Sequence, residues 1–167
     1  MISPYTVCFF GCQVLSDPLC AQRRLTEAIR LLLREEAYVE FLVGRNREFD
    51  LLASSALQSL RRISGFENSS HTPALPYGTA QCRDHPQAYP DHYDAVQICE
   101  SAVPYKTAFS ARNRRMVDRS DLVICWVAHR GGGAYQAASY AARRRKPLWN
   151  LADPRWTPRG FSGRLPE

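Results

Sequence analysis

The chain reads as an α/β protein of three layers, with helices on both faces of a mainly parallel central sheet. Three features predict this. Short β-prone runs alternate with amphipathic helical stretches from the N-terminus onward, the pattern that builds a parallel sheet through helical crossovers. Leu122 to Val127 is unbroken apolar sequence, as a strand covered on both faces requires. That strand runs through Ala128-His129-Arg130 into Gly131-Gly132-Gly133 and a small-residue helix, which is how α/β proteins bring helix N–H groups to the carboxyl edge of a sheet.

Each element has its own signal. Tyr5 to Phe10 is a compact β-prone run stopped by Gly11. Asp17 can cap the helix that follows and Pro18 suits its first position, while Ala21, Leu25, Ala28, Ile29 and Leu32 form one apolar stripe. Val39 to Val43 is a second short strand ending at Gly44. After Arg45-Asn46-Arg47, the residues Phe49, Leu52, Ala53, Ala56, Leu57 and Leu60 mark a second amphipathic helix.

Between about 64 and 93 the periodicity fades, with polar Glu67-Asn68-Ser69-Ser70 and several prolines, and the segment reads as a long surface connection. A short strand around Pro73 to Pro76 and an edge strand at Asp94 to Cys99 are the two candidates near it. A helix from about Thr107 to Asp118 follows. Asn113 shares its apolar face with Phe109, Met116 and Val117, so its amide must find partners, either loop backbone or a ligand at the sheet edge.

The helix after the glycines carries Ala134, Ala137, Ala138, Ala141 and Ala142, a stripe that can press close to a sheet. Three glycines can make a mobile loop, but a strand before and a helix after suit an anion site. Arg143 to Lys146 stands at the far end of that helix, where cations complement the dipole. Pro147 to Leu151 makes a last short strand, and residues 152–167 read as a loosely held tail.

Composition sets the outer bounds. A chain of 167 residues that is 45% hydrophobic fits one domain with a sizeable core. The formal charge of +6 favours anionic partners, although much of the excess sits in the runs Arg112/Arg114/Arg115 and Arg143 to Lys146. No stretch approaches the roughly 18 apolar residues of a membrane span, and Met1-Ile2-Ser3-Pro4 is no signal sequence, so the expectation is a cytoplasmic protein. Cys8, Cys12, Cys20, Cys82, Cys99 and Cys125 read as reduced thiols.

The motifs of the second half carry a resemblance. The stretch from Tyr93-Asp94 onward, with Ala111-Arg112-Asn113-Arg114-Arg115-Met116-Val117, Ser120-Asp121, Gly132-Gly133-Ala134 and Lys146-Pro147-Leu148-Trp149-Asn150-Leu151, resembles the YpsA-like branch of the SLOG superfamily. That superfamily includes the DNA-processing protein DprA and the "lonely guy" cytokinin-activating phosphoribohydrolases. Cys8-Phe9-Phe10-Gly11 and Phe41-Leu42-Val43-Gly44 with Phe49-Asp50 match the same branch, so the resemblance spans about residues 5 to 151.

The resemblance implies a Rossmann-like domain over residues 1–151, followed by the C-terminal tail, with a nucleotide or nucleotide-derived ligand at the carboxyl ends of the strands. The positions it carries over as ligand-binding are Gly11 after the first strand and Gly44 and Asp50 after the second, with the adjoining Cys12 and Arg45 as further candidates from their place in the sequence. Around the central strand the carried-over positions are Arg112, Asn113, Gly132, Gly133 and Ala134, and His129 joins them as a candidate from its place after that strand. It also suggests a homodimer. Arg112 suits bidentate pairing with phosphate oxygens, and Asn113 a base, a ribose or a neighbouring loop.

Two departures from the relatives stand out. Cys12-Gln13 occupies the place where relatives often carry His-Arg, and bulky Arg45-Asn46-Arg47-Glu48 replaces further small residues after Gly44. Arg45 can substitute a guanidinium for backbone donors there, or remain a solvated charge.

Catalysis is weighed by what is missing. The phosphoribohydrolases place a glutamate on the helix after their glycine-rich motif, whereas this chain has Tyr135-Gln136-Ala137-Ala138-Ser139. Acid/base work needs a titratable group within reach, so the reading leans away from an enzyme. Asp50, Glu100 and Asp121 remain as carboxylates without a supporting motif, and Cys82, His85, His92 and Cys99 match no familiar zinc spacing.

The reading is therefore a sensor or sequestering module for a phosphate-bearing nucleotide derivative, with no metal or separate cofactor expected. The alternative is a phosphoribohydrolase-like hydrolase of a nucleoside phosphate or an ADP-ribose-like substrate. Nucleic-acid binding ranks third and is not expected, because no basic run interleaves aromatics in a recognisable module.

Overall fold

Strand and helix alternate as the hydrophobic pattern requires. The computed structural model describes residues 3–44, 47–63, 65–75, 97–98 and 105–167, with backbone alone at 75, 97–98 and 105–108. Its elements run β1 (Tyr5–Gly11), α1 (Pro18–Glu35), β2 (Val39–Val43), α2 (Glu48–Arg61), β3 (Ser69–Leu75), β4 (Gln97–Ile98), α3 (Tyr105–Arg119), β5 (Leu122–Trp126), α4 (Gly132–Arg143) and β6 (Leu148–Asn150). The strands form one six-stranded sheet in the order β4-β3-β2-β1-β5-β6. Every pairing is parallel.

Period-two alternation along the strands sorts their side chains into two cores. Val7, Phe9, Phe41, Val43, Leu122 and Ile124 face α1 and α2, which contribute Leu25, Ile29, Phe49 and Leu57. Cys8, Phe10, Leu42, Val123 and Cys125 face α3 and α4, which contribute Met116, Val117 and the alanines 134, 137, 138 and 141. This is the three-layer arrangement expected. Ala142 departs from the expected stripe and is exposed.

Asp17 caps α1 by accepting from the Cys20 N–H at 3.1 Å, with Pro18 in the first turn. β3 corrects the long connection expected at 64–93, because residues 69–75 pair with β2 in the register Val39↔Ser69 to Val43↔Pro73. The strand hid from periodicity because its buried positions include Ser69, His71 and Thr72. Asn68 anchors its entry by donating to the Leu33 and Glu36 carbonyls at 3.0 and 2.9 Å. Within the expected edge strand at 94–99, the described part is Gln97–Ile98, pairing with Ala74–Leu75.

The segment after β6 corrects another expectation, since it is held and not loose. Leu151 and Trp156 are buried, and Arg24 donates to the Leu151 and Asp153 carbonyls at 2.6 and 2.7 Å. Asn150 fixes the other side: its N–H donates to Ser162 O at 2.9 Å and its Nδ2 to Arg164 O at 2.8 Å. No helix among the described residues is long and apolar enough to cross a membrane.

Candidate functional site

β1 has β2 on one side and β5 on the other, so the chain reverses its direction of winding at the β1/β5 boundary. At such a boundary the loops leaving the two strands diverge and open a crevice at their carboxyl ends. Here the diverging loops are 12–17 after β1 and 127–131 after β5, flanked by the N-termini of α2 and α4.

Each loop is pinned from outside the crevice. Glu48, in the first turn of α2, accepts from the Leu15 N–H at 2.7 Å, and its own N–H donates to Gln13 O at 3.1 Å. On the other loop the buried Asn150 side chain accepts from the Val127 N–H at 3.0 Å and donates to Val127 O at 2.9 Å. Gly131 caps α4 with φ 98° and ψ 163°, a region open essentially to glycine, and supplies no side-chain cap. Gly132 follows at φ 84°. The first N–H groups of α4 therefore keep the positive end of the helix dipole without a carboxylate in the first turn.

Arg47 occupies the centre. It precedes α2 at the N-cap position, and its Nη1 donates to Gly11 O at 3.4 Å. Its Nη2 lies 2.7 Å from the point a Cβ on Gly133 would take. One guanidinium thus bridges the end of β1 and the start of α4, and among the described residues Arg47 makes no ion pair. A cation between two helix N-termini gathers positive potential that an anion relieves.

Two clefts open on either side of this bridge. The first, about 450 Å³, lies at the β1/β5 boundary against Cys12, Trp126, His129, Gly132 and Tyr135. The second, about 440 Å³, lies between α3 and α4 against Phe109, Asn113, Arg114, Gly133, Tyr140 and Arg143. Arg47 and Tyr135 line both. Among the described residues neither cleft is lined by a carboxylate. Burial raises the Cys12 thiol above its ordinary value, and Glu48 adds to that, so it stands in the first cleft as a neutral group at pH 7.

The expected site residues divide by depth. Cys12, His129, Gly132 and Ala134 line the first cleft, and Asn113 and Gly133 the second. Gly11 is glycine because the Phe49 ring occupies the space a Cβ would need. Gly44, Asp50 and Arg112 are buried together behind the clefts: a Cβ on Gly44 would stand 2.8 Å from Asp50 Oδ2 and 3.3 Å from Arg112 Nη1. Arg112 spends its fork locally, with Nε and Nη2 donating to Asn113 Oδ1 at 3.1 and 2.8 Å and its guanidinium over the Phe109 ring. Asn113 is half-buried and not part of the apolar core. Arg45, Glu100 and the cysteine and histidine positions 82, 85, 92 and 99 lie outside the described residues. No cluster of metal-ligating side chains occurs among the described ones.

Sequence reading passed over Arg47, Tyr135 and Asn150. For Arg47 the missing signal was helix register. Buried Phe49 and Asp50 fix where α2 starts, and that start turns Arg47 into the crevice.

Neither a protein-family model nor a curated protein sequence matches this chain. Solved structures do match its backbone. DNA processing protein A from Helicobacter pylori, studied for its single-stranded DNA binding mode, superposes with a TM-score of 0.60 at 18% identity, over 88% of this chain and 65% of its own. The Streptococcus pneumoniae protein gives 0.63 at 15% identity, over 88% of this chain and 50% of its own.

The fold is that of DNA processing protein A. The chain spans between half and two thirds of those proteins' length. The same fold is shared with the molybdenum cofactor carrier protein of Chlamydomonas reinhardtii, at TM-score 0.58 and 11% identity over 89% of this chain and 76% of its own. The molybdenum cofactor binding protein of Rippkaea orientalis gives 0.56 at 17% identity, over 90% and 77%. In the DNA processing protein A fold of this chain, Arg47 and the Gly131-Gly132-Gly133 turn stand at the winding reversal of the sheet.

Proposed function

We propose that the chain is a SLOG-type module that binds a phosphate-bearing nucleotide derivative at the β1/β5 boundary without turning it over. The observation that carries this reading is the Arg47 guanidinium between Gly11 O and Gly133, at the uncapped start of α4. Phosphate oxygens placed there meet a planar donor fork and free helix N–H groups together. Trp126 and Tyr135 in the first cleft offer apolar surface for a ring, and Cys12 and His129 lie at hand to hydrogen-bond its edge. That no carboxylate among the described residues enters either lining favours binding over hydrolysis, since a glycosidic leaving group needs an acid in reach.

The solved structures with this fold include proteins studied for binding single-stranded DNA and a molybdenum cofactor, which supports ligand binding as the use of the crevice. Single-stranded nucleic acid is the second reading, favoured by Arg114 and Arg143 beside the rings of Phe109 and Tyr140 in the second cleft. Nucleic acid therefore returns to consideration, contrary to the sequence-based ranking.

The test is a thermal-shift screen of nucleoside phosphates, cyclic nucleotides and ADP-ribose, with chromatography of each mixture. A stabilising ligand recovered intact supports the module. Conversion of the ligand shows a hydrolase, and no shift with any of them removes the nucleotide site.

A further inference from the structure

The two clefts are of nearly equal size, about 450 and 440 Å³, and they meet at one wall made by Arg47 and Tyr135. Each alone is large enough for a nucleoside, and neither is large enough to seat two. The groups that attract phosphate stand at the shared wall: the Arg47 guanidinium, and the start of α4, whose Gly133 faces the second cleft and Gly132 the first. A mononucleotide with its phosphate at this wall fills one cleft and leaves the other in water.

The second cleft has the chemistry of a ring site in its own right. Tyr140 hydrogen-bonds through its hydroxyl to both Asp118 carboxylate oxygens, at 2.8 and 3.0 Å, which holds its ring in place. The Arg114 guanidinium lies 5.6 Å from that ring's centroid. Phe109 stands on the same side, and Asn113, whose Oδ1 is taken by Arg112, has an Nδ2 with no hydrogen bond among the described residues. Aromatic faces with an arginine and an amide donor suit a heterocycle.

Resting on the nucleotide-binding reading above, we infer that the ligand is a dinucleotide. It has two nucleosides joined through phosphate, one in each cleft, with the linking phosphates on Arg47 and the start of α4. A longer single strand fits less well. Among the described residues lining the first cleft, Gln13, Val14 and Ser16 supply no cation for a further phosphate.

Calorimetric titration separates the outcomes. The probes are adenosine and guanosine 5′-monophosphates, their pyrophosphate-linked and phosphodiester-linked dinucleotides, and a ten-residue oligothymidylate. On wild-type protein a dinucleotide binds about 10- to 100-fold tighter than its mononucleotide, the gain expected from seating a second ring. Arg114→Ala removes most of that gain, bringing the dinucleotide down towards the affinity of the mononucleotide, because the residue lines the second cleft and not the first. Arg47→Ala weakens both probes. A dinucleotide no tighter than a mononucleotide whose binding depends on Arg47 overturns the two-cleft ligand and leaves the module standing. Tighter binding of the oligothymidylate than of every dinucleotide overturns it in favour of a strand. No binding of any probe removes the nucleotide site as well.

Discussion

Asn150→Ala should be the most destabilising polar truncation outside the clefts. The side chain is 1% exposed and joins three pieces of backbone. Its Oδ1 accepts from Val127 N at 3.0 Å and Ala152 N at 3.2 Å, while Nδ2 donates to Val127 O at 2.9 Å and Arg164 O at 2.8 Å. Each such bond contributes about 0.5–1.5 kcal/mol net, and stranding a buried partner adds to the loss. Relaxation of the 152–167 segment returns part of it, so a cost of about 3 kcal/mol is expected, or roughly 6–12 °C in Tm for a domain of this size. Urea denaturation followed by tryptophan fluorescence measures it, and calorimetry gives Tm. The first cleft should also lose definition, because Val127 opens the loop that reaches Gly131. A loss below about 1 kcal/mol would refute the account of Asn150 as the clamp between β5, β6 and the C-terminal segment.

Three further outcomes follow from packing and charge. Gly11→Ala should destabilise by several times the cost of Gly132→Ala, because the first drives a methyl into the Phe49 ring and the second meets open space and strains only a backbone at φ 84°; equal costs in denaturant would contradict this. The Arg155 guanidinium, with the Arg164 and Arg155 N–H groups, holds the Asp153 carboxyl well below the usual carboxylate range. A depressed folded value stabilises above the unfolded one and is lost as pH falls through the folded one, so the advantage of wild type over Asp153→Asn should be full at pH 6 and shrink below about pH 4. A pH-independent difference would remove that carboxylate from the acid response. Burial pushes the Cys8 thiol up to about 12 and also raises Cys125, so at pH 8 iodoacetamide should modify Cys20 in the native protein and spare both; mass spectrometry of digests reads this, and labelling of Cys8 at the Cys20 rate would contradict it. Their raised folded values add stability below the unfolded thiol pKa of about 8.5 that falls away as pH climbs beyond it.

The layered fold was legible because burial wrote itself into the sequence. Val7/Phe9 against Cys8/Phe10 and Leu122/Ile124 against Val123/Cys125 are all apolar, as two covered faces demand, and Asp17-Pro18 announced the start of α1. β3 was hard to read because a strand paired on both edges can bury Ser69, His71 and Thr72 once partners such as Ser54, at 3.3 Å from His71 Nε2, are supplied from elsewhere in the chain. No window of local sequence carries that information. The C-terminal segment misled for the same reason, since its hold depends on Arg24 and Asn150, both distant in sequence.

The glycine turn of the candidate site was visible from its strand and helix neighbours, but the depth of its charged residues was not. Arg112 read as suited to pairing with phosphate oxygens and lies 5% exposed beside Asp50 and over Phe109. Arg47 appeared as one more bulky residue of a loop and stands between the two clefts. A shift of one residue in the start of α2 turns such a side chain by about 100°, and propensity does not locate helix ends that closely.

The central claim is that Arg47 and the start of α4 form the anion site of a nucleotide-binding crevice. The direct measurement is calorimetric titration of nucleoside mono- and diphosphates into wild type and Arg47→Ala, with Tm recorded for both. Charge-assisted hydrogen bonds contribute about 1.5–3 kcal/mol, so affinity should fall roughly 10- to 150-fold. Tm should hold steady, since Arg47 is half-buried and among the described residues its side chain makes one hydrogen bond, the 3.4 Å contact to Gly11 O. Unchanged affinity in a fully folded Arg47→Ala protein, or no binding to wild type, would contradict the claim.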